Sequence, residues 1–287
     1  ISLFLSIAPI FWHWKQKNVA PLFLIFWVVW GDLSMILNSI PFGGPDITKY
    51  WNGHVYCDIT SRMHFMAGLG IISSLTATSR SLARIMTGSS SLVPSPSYTR
   101  KEWVINIFYC VFIPLFGAAL YYIYEGGRYI IYQNSGCVPY LDASWVCLIC
   151  YTLWTPILVL ISTYYSGCTV YFYWKRQRRF REILHSNNSG LTLTRLARLF
   201  IFSLSIVLVA LPLSIYVLVK NIQNGVKSFS WSATHDPTNW SQIIVLPNAG
   251  PRYDFLFYPL CALCLFLFFG LGSDAKVMYR DFFISIG

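Results

Sequence analysis

Apolar positions in this chain come in long unbroken blocks, not at the period of 2 or 3.6 that a soluble core imposes. Uncharged runs occupy Met63–Ser79, Val104–Tyr124, Ala143–Trp174, Leu199–Val219 and Phe255–Ser273, and a sixth, Val19–Ile40, is interrupted only by Asp32. The hydrocarbon core of a bilayer is about 30 Å thick and a helix rises about 1.5 Å per residue, so roughly 20 apolar residues make one crossing. The Met63 run extends to Cys57 and to about Ile85, because flanking arginines can snorkel to the interface. The stretch Ile1–Trp14 reaches only about 21 Å at that rise and is read as a crossing whose outer end is missing. It has neither the basic start nor the small-residue cleavage site of a signal peptide. The pattern predicts an all-α membrane protein, a single domain over residues 1–287. Its seven transmembrane helices fall at about 1–14, 19–40, 57–86, 102–124, 143–178, 195–220 and 253–273, with a short tail at 274–287.

Charge sets the orientation. Lys and Arg are retained on the cytoplasmic side of short loops. Placing Trp14–Asn18 inside puts 15 of the 21 cations on the cytoplasmic face, against four acids, while the outer loops sum to zero. The N-terminus is then outside and the tail cytoplasmic. The formal net charge of +10 becomes a property of the inner face and calls for no nucleic acid. Six of the eight cysteines sit within apolar spans, where a thiol packs as a small apolar group. Cys57 and Cys137 alone fall at the outer, oxidising side. They are the candidate disulfide, with two free thiols as the alternative; pairing would close a loop worth about 4 kcal/mol in the chain-entropy picture.

Little here suits catalysis. The five histidines show no metal-ligand spacing, and no metal or other cofactor is expected. The pairs Cys147/Cys150 and Cys261/Cys264 lie in mid-span without a basic neighbour to make a thiolate. No lysine between Tyr253 and Gly272 could carry a retinal Schiff base, and the segments show no inverted duplication of the kind transporters use. Asp32 is the one acid within a span, either a polar switch or ion site, or a hydrogen-bonded strut between helices. Each of six crossings carries a proline, and Pro212 in the sixth is the candidate hinge. Of two Asn-x-Ser sequons, Asn239 lies outside and is the glycosylation candidate, whereas Asn187 lies inside.

The basic run "KRQRRFREILH" begins where the fifth crossing ends. Attraction to anionic membrane lipid accounts for part of it, at roughly 1 kcal/mol per cation. Lys175, Arg176, Arg178, Arg179 and Arg181, together with Arg195 and Arg198 at the foot of the sixth crossing, would also line a docking cleft for an acidic partner. Arg80 and Arg84 at the foot of the third crossing join this set. The outer loops are instead rich in Tyr and Trp, which serve a membrane interface and an amphipathic ligand equally well.

Five stretches carry a resemblance: "KNVAPLFLIFW", "WNGHVYCDIT", "SGCVPYLDASW", "REILHSNNSGLTLTRLARLF" and "FFGLGSDAKVMYR". With them the chain resembles the fungal a-factor-type mating pheromone receptors, class D G-protein-coupled receptors. The resemblance implies a multi-pass plasma-membrane receptor for a farnesylated, carboxymethylated peptide pheromone, coupled to a heterotrimeric G protein that starts the mating response. It implies no catalysis, and leaves homodimer formation open. The chain lacks the Asp-Arg-Tyr and Asn-Pro-x-x-Tyr strings of the large animal receptor class, and Asp32 stands where the family more often has Asn. Under that reading, depth within the outer half of the bundle selects Asn38, His64, Phe65, Tyr122, Trp154, Tyr216, Tyr253 and Phe257 as ligand-facing candidates.

Overall fold

A computed structural model describes residues 1–15, 17–87, 96–186, 201–202, 204–247 and 254–270. Helices dominate. Helix α1 is Ser2–Lys15, α2 is Val19–Ser39 and α3 is Tyr56–Thr87. Helix α4 runs as Pro96–Ile107, a π turn at Phe108–Phe112, Ile113–Tyr121 and a closing 3-10 turn at Tyr122–Tyr124. Helix α5 is Trp145–Cys147, a π turn at Leu148–Thr152 and Trp154–Ser186. The described part of α6 ends with a π turn at Ile206–Ala210 followed by Leu211–Gln223, and α7 is Asp254–Leu265 with a π turn at Phe266–Gly270.

Three prolines explain three of the π turns. Proline lacks an N–H and its ring clashes with the carbonyl four residues back, so a helix carrying one widens or bends just upstream. Pro114, Pro156 and Pro212 each follow a π turn within two to four residues.

Val19–Ser39, Arg100–Tyr124 and Trp145–Lys175 are long and apolar enough to cross a membrane; Leu208–Gln223 and Leu256–Gly270 are shorter apolar helices. Helix α3, with 32 residues, is long enough but too polar to qualify by composition. Its place in the bundle accounts for this. It makes its most extensive contacts with α2 and α5, and most of its Gly, Ala, Ser and Thr side chains from Ala67 to Ala83 are buried against neighbouring helices, not against lipid.

Small residues let those neighbours close on α3, as in other membrane bundles. At Gly70 a Cβ would sit 2.3 Å from the Trp27 ring, and the Trp27 indole N–H donates to the Cys110 carbonyl at 2.9 Å, so one tryptophan links α2, α3 and α4. On the opposite side, Thr76 Oγ1 donates to the Leu158 carbonyl at 3.0 Å and the Ser79 and Ser162 hydroxyls meet at 2.9 Å. The central apolar cluster joins Leu24, Ile25 and Val28 of α2 to Ala67 and Ile71 of α3 and to Tyr258, Ala262 and Leu265 of α7.

One end of the bundle carries a small sheet of order β2-β1-β3. Strand β1, Tyr129–Tyr132, pairs antiparallel with β2, Gly136–Val138, and parallel with β3, Ile243–Leu246. Gly136 adopts φ +70°, and a Cβ there would lie 2.7 Å from the Asn38 carbonyl, so the hairpin reaches α2 only with glycine at that place. Asp32 is buried in α2, hydrogen-bonded to the Ser2 side chain, with Oδ2 lacking a protein partner. The contact joins α1 to α2 and leaves one carboxylate oxygen without a protein partner.

Gly70→Ala should lower the thermal midpoint of the detergent-solubilised protein, with an overpacking cost on the order of 1–3 kcal/mol. Gly68→Ala, where nothing lies within 4 Å of an added Cβ, should be neutral or mildly stabilising. A fluorescence melt of the two variants beside the parent chain checks the difference.

Candidate functional site

Two polar clusters mark opposite ends of α3. At the sheet-bearing end, Cys57 and Cys137 form a disulfide with Cα atoms 5.3 Å apart, buried among Phe42, Tyr129 and Ile131. The bond fastens β2 to the first turn of α3. At the next residue, Asp58 accepts from Arg128 through both oxygens, at 2.9 Å from Nε and 2.7 Å from Nη2. Arg62 donates to Glu125 at 3.1 and 3.2 Å and to the Asp58 carbonyl at 2.8 Å. Bidentate arginine–carboxylate pairs are both strong and directional, so this end of α3 is fixed to the loop after α4 by chemistry as well as by the disulfide.

Glu125 is only 1% exposed. Burial pushes its carboxyl up to about 7, against the opposing pull of Arg62 and with Asp58 adding to the rise; His235 and Arg128 also face it and favour its charged form. Above it lies an aromatic cap. The His235 ring stacks on Trp231 at 3.9 Å, its Nε2 lies 2.9 Å from the Tyr122 carbonyl, and Tyr122 packs edge-on to Trp231 and Trp240. Trp231–Thr234 and Pro237–Trp240 are single helical turns in the segment between α6 and α7.

At the other end of α3, Arg80 and Arg84 converge on Glu102 of α4. Arg80 is bidentate at 2.9 and 3.0 Å, and Arg84 Nη1 pairs with Oε1, the carboxylate oxygen that also accepts from Arg80 Nη2. Glu102 was countable in the sequence as one of few acids among the inner cations, yet nothing there paired it with both arginines. Lys175 is exposed, 3.5 Å from the Tyr171 hydroxyl. Arg176, Arg178, Arg179 and Arg181 lie on the helical run Trp154–Ser186, but their side chains, together with all of Arg195, Arg198 and Tyr253, lie outside the described residues. The same holds for the side chain of Asn239, whose backbone belongs to the turn Pro237–Trp240. Pro212 occupies the first turn of Leu211–Gln223, directly after a π turn.

The seven described ligand-facing candidates do not converge. Asn38 is buried beside Gly136, with Oδ1 lacking a partner. Phe65 is core, packed on Tyr121 and Tyr151, and Trp154 packs beside Phe116. His64 meets Tyr258 ring to ring at 5.6 Å, next to Phe257. Tyr122 sits in the aromatic cap, and Tyr216 is exposed with Lys220 over its ring. A cavity of about 290 Å³ lies between α5 and α6, and none of the seven described candidates lines it. A second, of about 220 Å³, lies near Glu102 among the adjoining ends of α1 to α4 and α7.

Residues 1–287 match the profile of the STE3 family, the pheromone A receptors, along their whole length. The chain belongs to that family. It is 33% identical to the pheromone a factor receptor of Saccharomyces cerevisiae over 288 residues, covering 100% of this chain and 60% of that protein. It is 24% identical to pheromone receptor 1 of Mycosarcoma maydis, covering 99% of this chain and 81% of the relative. A 25% identity to the pheromone M-factor receptor of Schizosaccharomyces pombe spans 77% of this chain and 59% of the relative. These relatives are receptors, not enzymes, and the chain spans about 60% of the length of the yeast protein. In this STE3 chain the disulfide, the two carboxylate–arginine clusters and the sheet organise the two ends of the helical bundle.

The Glu125 shift has a signed consequence. Below about 4.5 the residue is protonated in folded and unfolded chains alike; between about 4.5 and about 7 only the folded chain holds the proton. Stability relative to Glu125→Gln should therefore fall as pH rises across that window, by at most about 1.4 kcal/mol per pH unit, and level off above it. Thermal midpoints of both proteins between pH 4 and 9 measure the difference.

Proposed function

We propose that this chain is the seven-helix, plasma-membrane core of a G-protein-coupled receptor that binds a farnesylated peptide mating pheromone and activates a heterotrimeric G protein. The whole-length match to the pheromone A receptor family carries the proposal. The orientation rests on charge. The end with the disulfide and the sheet faces outward, where thiols oxidise, and the end with Arg80, Arg84 and the Lys175–Arg181 run faces the cytoplasm.

On this reading the pheromone meets the outer halves of the helices beneath the sheet and the aromatic cap. The G protein meets a basic inner face built from α3, α5 and α6. In the resting arrangement Glu102 holds Arg80 and Arg84, so engaging an acidic partner through them requires exchange of one carboxylate for another. The outer part of α6 is the natural moving element, because of its residues Leu211–Gln223 only Ser214 is buried and a π turn and Pro212 stand at its start.

The test is nucleotide exchange on a purified heterotrimeric G protein with the receptor in lipid discs, across a panel of farnesylated, carboxymethylated peptides. The expected result is exchange driven by at least one of them and not by its unprenylated form. Neutralising Arg176, Arg178, Arg179 and Arg181 together should abolish exchange while leaving lipopeptide binding and surface expression intact. Loss of expression and binding instead would make the run a membrane anchor. No exchange with any prenylated peptide would refute the reading.

A further inference from the structure

Among the described residues, the cavity between α5 and α6 is built from those two helices and the residues flanking their sheet-bearing ends, with no wall from α1, α2, α3, α4 or α7. Its wall is polar at both ends, with the hydroxyls of Thr152, Thr155 and Ser214 at the inner one, and apolar between them. Asp142, Asn221 and Asn224 stand at the end nearest the sheet, and Leu148, Tyr151 and Val217 lie one to two turns deeper. Beyond the end nearest the sheet the chain is stitched shut: Lys227 N–H donates to the Ala143 carbonyl at 2.9 Å and Trp145 N–H to the Lys227 carbonyl at 3.2 Å. The neighbouring approach from water is covered by the β2-β1-β3 sheet and by the aromatic cap over Tyr122. What remains open is the side of the bundle, where α6 is thinly packed: Leu213 is 53% and Val217 44% exposed.

We infer that this gap between α5 and α6 is a lateral port that receives the isoprenoid tail of the ligand from the outer membrane leaflet. The assignment rests on the proposed function, and it specifies which part of the ligand goes where. At about 290 Å³ the cavity stands at the small end of ligand pockets, roughly 300 to 1,000 Å³. It has room for a branched hydrocarbon chain and not for a whole lipopeptide. The apolar middle stretch, Leu148, Tyr151 and Val217, takes the chain. The side-chain amides of Asn221 and Asn224 stand at the mouth, where they can donate to the ester carbonyl of the attached prenylcysteine and accept from its amide N–H; one Asn221 N–H already donates to the Val217 carbonyl at 2.8 Å. A prenyl chain already dissolved in the bilayer enters without crossing water, and so reaches the port at the concentration of the membrane, not of the medium.

The test uses N-acetyl-S-farnesylcysteine methyl ester carrying a diazirine in its terminal isoprene unit, photolysed with the receptor in phosphatidylcholine discs and mapped by mass spectrometry. Labelling is expected within residues 141–156 and 214–226. It should fall at least tenfold with excess non-photoreactive compound, and likewise in Val217→Trp and, separately, Leu148→Trp, each of which fills the cavity. Thermal midpoints near that of the parent chain establish that the variants fold. Phe112→Trp, on the outward face of α4, should label as the parent does. A diazirine phosphatidylcholine should not compete for the same residues. Labelling spread over outward residues such as Phe112 and Leu160, or labelling of the port that only phospholipid displaces, would overturn the assignment. If prenylated peptides drive nucleotide exchange while the probe labels elsewhere, the receptor reading stands and the port falls. If no prenylated peptide drives exchange, the receptor reading itself falls.

Discussion

A bilayer tolerates formal charge only at its two faces, and the placement of 32 charged residues is the constraint on which the rest of this chain depends. At the sheet-bearing end the charges neutralise one another in defined pairs, Arg62 with Glu125, Arg128 with Asp58 and Lys49 with Asp46. Towards the opposite end cations outnumber acids, and Glu102, the acid there whose side chain is described, is shared by two arginines. One end is therefore near neutral, with three of its charge pairs in direct contact, and the other is left with an excess of positive charge. That asymmetry suits a molecule that holds a lid on one side and recruits an acidic partner on the other.

Helix α3 transmits the arrangement. It is too polar to face lipid and pays for its hydroxyls by turning them inward, onto the Leu158 carbonyl and Ser162 of α5. Its first turn is covalently fixed to the hairpin, and its last turns are clamped to α4 through Glu102. The outer part of α6 has none of these attachments among the described residues; its buried contact is Ser214, and it rests chiefly on α5. A rigid post beside a lightly held helix is the combination that lets a modest ligand contact shift a two-state equilibrium.

The helices were legible because charge is excluded from hydrocarbon: the uncharged run Val104–Tyr124, for instance, lies inside the helical stretch Pro96–Tyr124. Cys57 and Cys137 stood out because the other cysteines lie within apolar spans. Facing was not legible. A membrane helix is apolar all round, so its pattern gives no phase, and choosing residues by depth put Phe65 in the core and Tyr216 on an exposed face alike. The parallel pairing of β1 with β3 was also hidden, since it joins four-residue strands separated by more than 100 positions. Prolines announced bends in the sequence, but not that Pro114, Pro156 and Pro212 would each follow a π turn.

Sidedness is the central claim, and epitope accessibility tests it most directly. One tag is inserted after Gly225 and another, in a separate protein, after Ser189, each in a chain that retains its disulfide. Antibody should reach the Gly225 tag on intact cells and the Ser189 tag only after the membrane is permeabilised. Staining of the Ser189 tag on intact cells, with the Gly225 tag protected, would contradict the account.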